Sequence, residues 1–335
     1  MAATSIPHEL RTAEEPRQNH LYKVRLSNID YANPTVRLLR LAIGSSPVVG
    51  EVKNKAENES QFHFLPGQWL DVHVPSIPQA GGFTITSIPR DSLRSPPSNI
   101  RNKINDSPTE EPYIELAVQK SPSNPPAAWL WRPRDEILGQ ELSVRVGGSF
   151  TWPPADIPLE KIGRVVFVAG GVGINPLISM LSHIFQTPSS LPQLPPIHLF
   201  YSTRLPSTPA GGEDITTHLN QILFFPRLRD IINSQHQTQR TDSAPPFHLH
   251  LHITNLTDRP HNPPADFSML NRRVTMEDLS GVIDRKGDDD DARNDQTVCY
   301  VCGPPDMTDE FVAGLEGLLG SGTAGKKSVF CEKWW

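Results

Sequence analysis

Residues 165–176 read VVFVAGGVGINP, and this stretch decides the architecture of the second half of the chain. Val165 to Ala169 carries no polar residue, the pattern of a strand buried on both faces. It runs into Gly170-Gly171-Val172-Gly173, after which a helix is expected from Pro176 to Phe185. Glycines let a backbone come close to a ligand, and a helix N-terminus offers amide donors and a positive dipole end. A strand, a glycine turn and a helix in this order therefore suit a pyrophosphate. Asn175 is expected as the N-cap and Pro176 at the first helical position. The spacing differs from the Rossmann fingerprint, because Pro176 stands where its third glycine would be. A tight strand-to-helix turn with no ligand would use the same glycines, so the turn alone leaves both readings open.

Outward from this point the pattern continues as strand and helix in alternation. His198 to Ser202 reads as a second buried strand, 214–233 as helical, 247–253 and 297–302 as strands, and 306–319 as a helix. Such alternation predicts a parallel sheet with crossovers. Before Pro153-Pro154 the pattern is different. Strand-like runs recur at 21–28, 35–43, 69–74, 83–88, 113–119 and 141–146, with Gly/Pro punctuation and no helix pattern between them. The expected fold is β followed by α/β: an N-terminal antiparallel β-barrel of the six-stranded type, then a doubly wound parallel sheet. The boundaries read as a loose terminus over 1–19, a barrel domain over 20–152 with an insertion near 89–112, and an α/β domain over 160–335. Polar insertions are expected in the latter near 186–196, 205–213, 240–246 and 284–295, and a further loop at 45–61.

The chain has 335 residues, 37% of them hydrophobic and 20% charged, enough to fill packed cores. Its 34 prolines gather between apolar runs, which reads as stiffened surface insertions. A net charge of −6 argues against a general affinity for nucleic acid. The longest apolar run, Val165 to Leu181, is broken by three glycines, Asn175 and Pro176, so no transmembrane segment is expected. Residues 1–20 contain His8, Glu9, Glu14 and Glu15 and no apolar centre, unlike a signal peptide. Three cysteines make no disulfide framework, which points to a reducing compartment.

Cys299 and Cys302 form a C-x-x-C, but a structural zinc needs four ligands and no second pair exists. Cys299 reads as a small buried apolar residue. Cys302 ends a parallel strand, where open α/β sheets bind ligands. His248, His250 and His252 alternate along one strand face, read as solvated rather than metal-binding. No metal site is expected. No cysteine run for an iron–sulfur cluster is present, so a one-electron acceptor would have to be a separate partner protein.

A second strand, Val298 to Pro305 (VCYVCGPP), ends in Cys302-Gly303-Pro304, and the sequence closes on Glu332-Lys333-Trp334-Trp335. A turn of the form GGxGxxP, a Cys-Gly-Pro at a later strand end and a terminal acid with aromatics together resemble the ferredoxin–NADP reductase superfamily. Within it the chain is most similar to the oxidoreductase NAD-binding domain-containing protein family, through GQW at 67–69, GGF at 81–83, RVGG at 145–148, AGGVGINP at 169–176, CGPP at 302–305 and the closing EKWW. The resemblance implies a flavin domain followed by a pyridine-nucleotide domain, with FAD and NAD(P)H as cofactors.

Residue by residue, the superfamily's flavin-binding Arg-x-Tyr-Ser falls on Gly81, Phe83 and Thr84. Phe83 keeps an aromatic face and Thr84 a hydroxyl, but Gly81 supplies no charge for the flavin pyrophosphate. Lys120 is one substitute for that charge and Arg145 another. Asn124 to Trp129 (NPPAAW) lies where the superfamily presents amides to the flavin phosphates, and two prolines there remove two donors. On the nucleotide side the resemblance implies binding by Gly170, Gly171, Val172, Gly173, Asn175 and Pro176, with Cys302, Gly303 and Pro304 near the nicotinamide. Ser202 and Arg204, at the end of the second parallel strand, are expected to meet the ribose or a 2′-phosphate. Trp334 would stack on the flavin, and Glu332 would relay a proton.

The reading is thus an NAD(P)H-dependent flavoprotein reductase that passes a hydride to FAD and electrons to a further acceptor, with Thr84, Cys302 and Glu332 as catalytic candidates. The alternative is a non-catalytic NAD(P)-responsive binding module that has lost productive flavin binding, favoured by Gly81 and by Pro125-Pro126. The N-terminal composition favours a cytoplasmic location and the family resemblance a mitochondrial one.

Overall fold

Apolar side chains alternating along short strands need a second layer, and the chain supplies it by curling one sheet and covering the other with helices. A computed structural model describes residues 6–44, 62–93, 111–186, 195–207, 215–238, 247–256, 265–283, 296–320 and 328–333. The chain divides into two units, Met1–Tyr31 with Thr35–Ser149, and Ala32–Pro34 with Phe150–Trp335.

The first unit contains the short helix α1 (His8–Arg11) and strands β1 (Tyr22–Asn33), β2 (Val36–Ile43), β3 (Trp69–His73), β4 (Gly81–Thr84), β5 (Tyr113–Gln119) and β6 (Glu141–Gly147). Their order in the sheet is β4-β3-β6-β1-β2-β5. The two outer strands then meet: Ile85 bridges Leu116, and Thr86 N–H donates to the Glu115 carbonyl at 2.9 Å. The antiparallel sheet thereby closes into the expected six-stranded barrel around Leu26, Leu39, Leu70, Ile85, Leu116 and Val144, each at most 1% exposed.

Two features of this unit differ from the sequence expectation. The barrel carries helices α2 (Pro125–Leu130) and α3 (Arg134–Ile137), too short to display a helical period in sequence. The segment read as a loose terminus is instead held on the barrel from His8 to Gln18, with Gln18 N–H on the Val146 carbonyl and a bridge from Arg17 to Gly147. Residues 1–5, the loop at 45–61 and most of the 89–112 insertion (94–110) lie outside the described residues.

The second unit is a six-stranded parallel sheet of β7 (Ile162–Gly170), β8 (Ile197–Thr203), β9 (Phe247–Ile253), β10 (Ser268–Leu270), β11 (Gln296–Gly303) and β12 (Val329–Lys333), in the order β10-β9-β8-β7-β11-β12. Helices α4 (Ile174–Gln186), α5 (Ile215–Leu219), α6 (Phe225–Thr238), α7 (Met276–Ile283) and α8 (Pro305–Leu319) complete it. The chain moves outward from β7 to β10 and then returns to β11 on the other side of β7. That reversal falls at the carboxyl ends of β7 and β11, the place where doubly wound sheets bind ligands.

The helical stretch expected at 214–233 is two helices, broken where Phe224 takes a positive φ of 61° and the run Ile222–Phe225 turns into the core. Strand β10, helix α7 and strand β12 had no signal strong enough to be expected. Of the expected insertions, 187–194, 208–214, 239–246 and 284–295 lie outside the described residues.

Candidate functional site

The carboxyl edge of the parallel sheet gathers the nucleotide-side residues into one row. Register pairs His252 with Ser202, Ser202 with Gly170, Ala169 with Cys302, and Cys302 with Glu332. Gly170, Ser202, Cys302 and Glu332, named from separate motifs, therefore stand side by side on neighbouring strands. Arg204 follows β8 and is exposed.

Why the turn needs glycine is visible at two positions. A Cβ on Gly173 would lie 2.1 Å from the Cys302 carbonyl oxygen, so the turn after β7 packs backbone to backbone on the end of β11. Gly171 is the opposite case. Its φ is +54°, and among the described residues nothing lies within 4 Å of where its Cβ would point. The turn is thus pinned on one side by Gly173 and open on the other at Gly171. It leads directly into the 13-residue α4, whose N-terminus, the positive dipole end, follows the turn.

Two expectations about this turn are corrected. Asn175 is not the N-cap: a 3₁₀ turn over Gly171–Gly173 merges into α4, which begins at Ile174. Asn175 and Pro176 are its second and third residues, where proline is tolerated because first-turn amides have no helical partner. The Cys302 side chain is fully buried, and its carbonyl is the atom that meets the Gly173 turn. Gly303 and Pro304 lead into α8, where Thr308 Oγ1 donates to the Gly303 carbonyl at 3.2 Å and fixes the loop. Cys299 is buried in the core and its thiol is pushed up to about 12 by that burial, which makes it inert. Trp334 and Trp335 lie outside the described residues.

The histidine ladder departs from a plain solvated face. His248 is exposed, His250 half-buried and His252 buried. His198 of the neighbouring strand stacks on His248 with ring centres 4.6 Å apart, and its Nδ1 lies 3.2 Å from His250 Nε2. His250 also stacks on Phe200 at 4.3 Å, and burial followed by its neighbours His248 and His252 pushes its pKa down to about 4. No group of three or more ligating side chains that could hold a metal occurs among the described residues.

In the barrel unit the positions implied for a flavin are filled from within. A Cβ on Gly81 would lie 2.5 Å from Phe83 Cε2 and 2.7 Å from Pro126 Cβ, so the phenyl ring and the proline occupy the space an arginine there would need. Phe83 is 9% exposed and belongs to the barrel core, and Thr84 is 3% exposed. Pro125 and Pro126 open α2 without amide donors, and the next amide, Ala127 N–H, is taken by Asn124 Oδ1 at 3.3 Å. Lys120 holds its ammonium 5.6 Å from the centre of the Trp131 ring. Arg145, the other proposed substitute, is committed elsewhere. These residues do not fit the diphosphate of a resident FAD.

Arg145 belongs to a buried cluster that sequence reading missed. Asp71 is fully buried, and its Oδ2 accepts from Arg145 Nη2 at 2.7 Å and from Arg17 Nε at 2.9 Å, while His8 Nε2 lies 3.2 Å from Oδ1. Burial alone would raise the carboxyl pKa. The His8, Arg17 and Arg145 contacts outweigh it and hold the group well below the usual carboxylate range. Arg17 also lies over the Trp69 ring, and His8 meets the same ring edge-on at 4.6 Å. Glycine makes room for all of this: a Cβ on Gly82 would strike the His8 ring at 2.1 Å, and one on Gly147 the Trp69 ring at 2.5 Å. The motifs GQW, GGF and RVGG thus converge on one packed cluster.

No family model matches the chain. Over 332 residues it is 29% identical to oxidoreductase NAD-binding domain-containing protein 1 of Danio rerio, covering 98% of this chain and 97% of that protein. Among solved structures, a ferredoxin NADP+ reductase from Neisseria gonorrhoeae with bound FAD and NADP superposes with a TM-score of 0.57 at 14% identity, covering 93% of this chain and 98% of that one. The cytochrome b5 reductase domain of Ulva prolifera nitrate reductase gives a TM-score of 0.57 at 16% identity, over 94% and 98% of the two chains. The chain has the fold of the ferredoxin–NADP reductases and is similar, over nearly its whole length, to an oxidoreductase NAD-binding domain-containing protein, the likeness its motifs carry.

Proposed function

We propose that this chain is an NAD(P)H-dependent oxidoreductase that binds its nucleotide at the carboxyl edge of the parallel sheet and passes electrons to a flavin. The observation that supports this best is the open Gly171 turn at the sheet's point of reversal, leading into the N-terminus of α4. In this reading Gly170, Gly171, Val172 and Gly173, with the first turn of α4 at Asn175 and Pro176, cradle the pyrophosphate. Ser202 and the exposed Arg204 meet the adenosine ribose, and an arginine there suits a 2′-phosphate, which favours NADPH. The Cys302–Pro304 backbone borders the nicotinamide, and Glu332, beside Cys302 in register, is the group available to relay a proton. A nicotinamide held there would supply a hydride, and the part of these residues would be to position it. Phe83 and Thr84 would have to become accessible to take part.

The alternative, a binding module that senses NAD(P) without turnover, is favoured by the filled space at Gly81. The two are separated by titrating NADH and NADPH against the protein by fluorescence, then following nucleotide oxidation with added flavin and an artificial electron acceptor. The oxidoreductase reading expects saturable one-to-one binding and turnover. Binding without turnover leaves the sensing module, and no binding of either nucleotide overturns both.

A further inference from the structure

We propose that His198 and His250, on the neighbouring strands β8 and β9, form a two-imidazole site for a late divalent transition-metal ion such as Zn2+. The site lies outside the oxidoreductase reading and does not depend on it. Ser202, in the row at the carboxyl edge, stands further along β8, roughly 13 Å from His198 at the usual rise of a strand.

Alternation puts His248, His250 and His252 on one face of β9, and the parallel register brings His198 of β8 beside His248. Across that pairing His198 Nδ1 lies 3.2 Å from His250 Nε2. Two metal–nitrogen bonds of about 2.0–2.1 Å span such a gap at an angle of roughly 100°, close to the tetrahedral value that Zn2+ takes. Both rings are held by a neighbour. His248 lies against His198 with ring centres 4.6 Å and planes 18° apart, and Phe200 lies against His250 at 4.3 Å and 9°. Each of the two residues keeps part of its surface exposed, so the pair is not sealed in the core.

The electrostatics suit a cation. Burial, followed by His248 and His252, pushes the His250 pKa down to about 4, so its imidazole is neutral at neutral pH and offers a lone pair. Asp278 acts on the same ring in the opposite sense, the one that favours positive charge. In the metal-free pair one ring's N–H lies between the two nitrogens. On binding, that proton moves to the ring's other nitrogen and both lone pairs turn to the ion, so no proton is gained or lost. Among the described residues no third ligating side chain completes a set, and water fills the remaining positions. An ion across β8 and β9 joins the two strands and stabilises the folded sheet by mass action.

The test uses the full chain, stripped of metal with a chelator, and Zn2+ alone as the probe. Nitrogen NMR shifts of the assigned imidazoles report which rings are ligated, and thermal unfolding reports the gain in stability. The expected result is saturable movement of the His198 and His250 shifts together, with a midpoint of unfolding raised by Zn2+ and not by Mg2+, which prefers oxygen ligands. His198→Gln should weaken the zinc response of His250 by about tenfold or more, and His250→Phe that of His198 by as much. His248→Gln keeps both ligands and should cost less than either. Zinc that leaves the His198 and His250 shifts in place, or a response of one ring that survives unchanged when the other is replaced, overturns the proposal. The shifts are read on the parent protein, so a variant that fails to fold does not remove the test.

Discussion

Both units place glycines at their motif positions, but they use the space differently. In the barrel, Gly81, Gly82 and Gly147 are spaces that the protein's own rings fill: Phe83 over the first, His8 over the second, Trp69 over the third. In the parallel sheet, Gly173 is likewise filled, by the backbone of Cys302, but Gly171 points into open space with a left-handed φ. The contrast separates two meanings of a glycine motif. One makes room for packing and belongs to stability; the other leaves space beside the turn, which the proposed function assigns to a ligand. A sequence shows the glycine in either case and not what stands opposite it.

The comparison can be broken most severely at the barrel cluster. Asp71→Ala would leave Arg17 and Arg145 facing each other without their shared partner, a loss of about 3–5 kcal/mol for breaking a buried ion pair. Denaturant unfolding measures it, and NADPH affinity of the folded protein should be unchanged. Gly82→Ala is the next test, because its methyl group must displace His8; overpacking of this kind costs about 1–3 kcal/mol. A Gly82→Ala protein as stable as the parent would mean that His8 does not hold the N-terminal segment on the barrel.

Acid sharpens the comparison by acting on the two units in different ranges. Histidines of the unfolded chain protonate near pH 6.5, whereas His250 in the folded sheet waits until about 4. Between those values the unfolded state binds more protons, so the parallel-sheet unit loses stability as pH falls from about 6.5 to about 4. His250→Phe, stacking on Phe200, should flatten that slope in urea midpoints measured across this range. The Asp71 contribution has the other timing. Its folded pKa lies below the ordinary value near 3.9, so it is intact above about pH 4 and lost only in stronger acid. The smallest expected effect is at Arg204: Arg204→Ala should weaken NADPH by roughly tenfold and spare NADH. Equal losses for both nucleotides would remove Arg204 from phosphate recognition.

The barrel strands and the long strand–helix alternation were legible because their apolar periods are strong: 113–119 and 247–253 were read to the residue. What escaped were short elements whose existence depends on neighbours. Strand β10 has three residues and α2 six, and neither shows a period. The row at the carboxyl edge was readable because its glycines, Cys302 and Ser202 sit at strand ends, where pattern marks the position; its proposed nucleotide role awaits binding measurements. The Asp71 cluster was not, because His8, Arg17, Asp71 and Arg145 are brought together only by the pairing of β3 with β6 and a bridge from Arg17 to Gly147. His8 in particular sits in a polar stretch that gives no sign of its burial.

The most direct test of the central claim, that Gly171 leaves room for a nucleotide, changes charge there without changing fold. Asparagine and aspartate both tolerate a left-handed φ, and the space beside Gly171 is open to either. Affinity for NADPH is measured by titration for the parent, Gly171→Asn and Gly171→Asp, at matched thermal stability. A pyrophosphate beside this turn predicts a modest loss for asparagine and a further loss of about tenfold or more for aspartate, from like-charge repulsion. An aspartate variant that binds NADPH as tightly as the asparagine variant would contradict it.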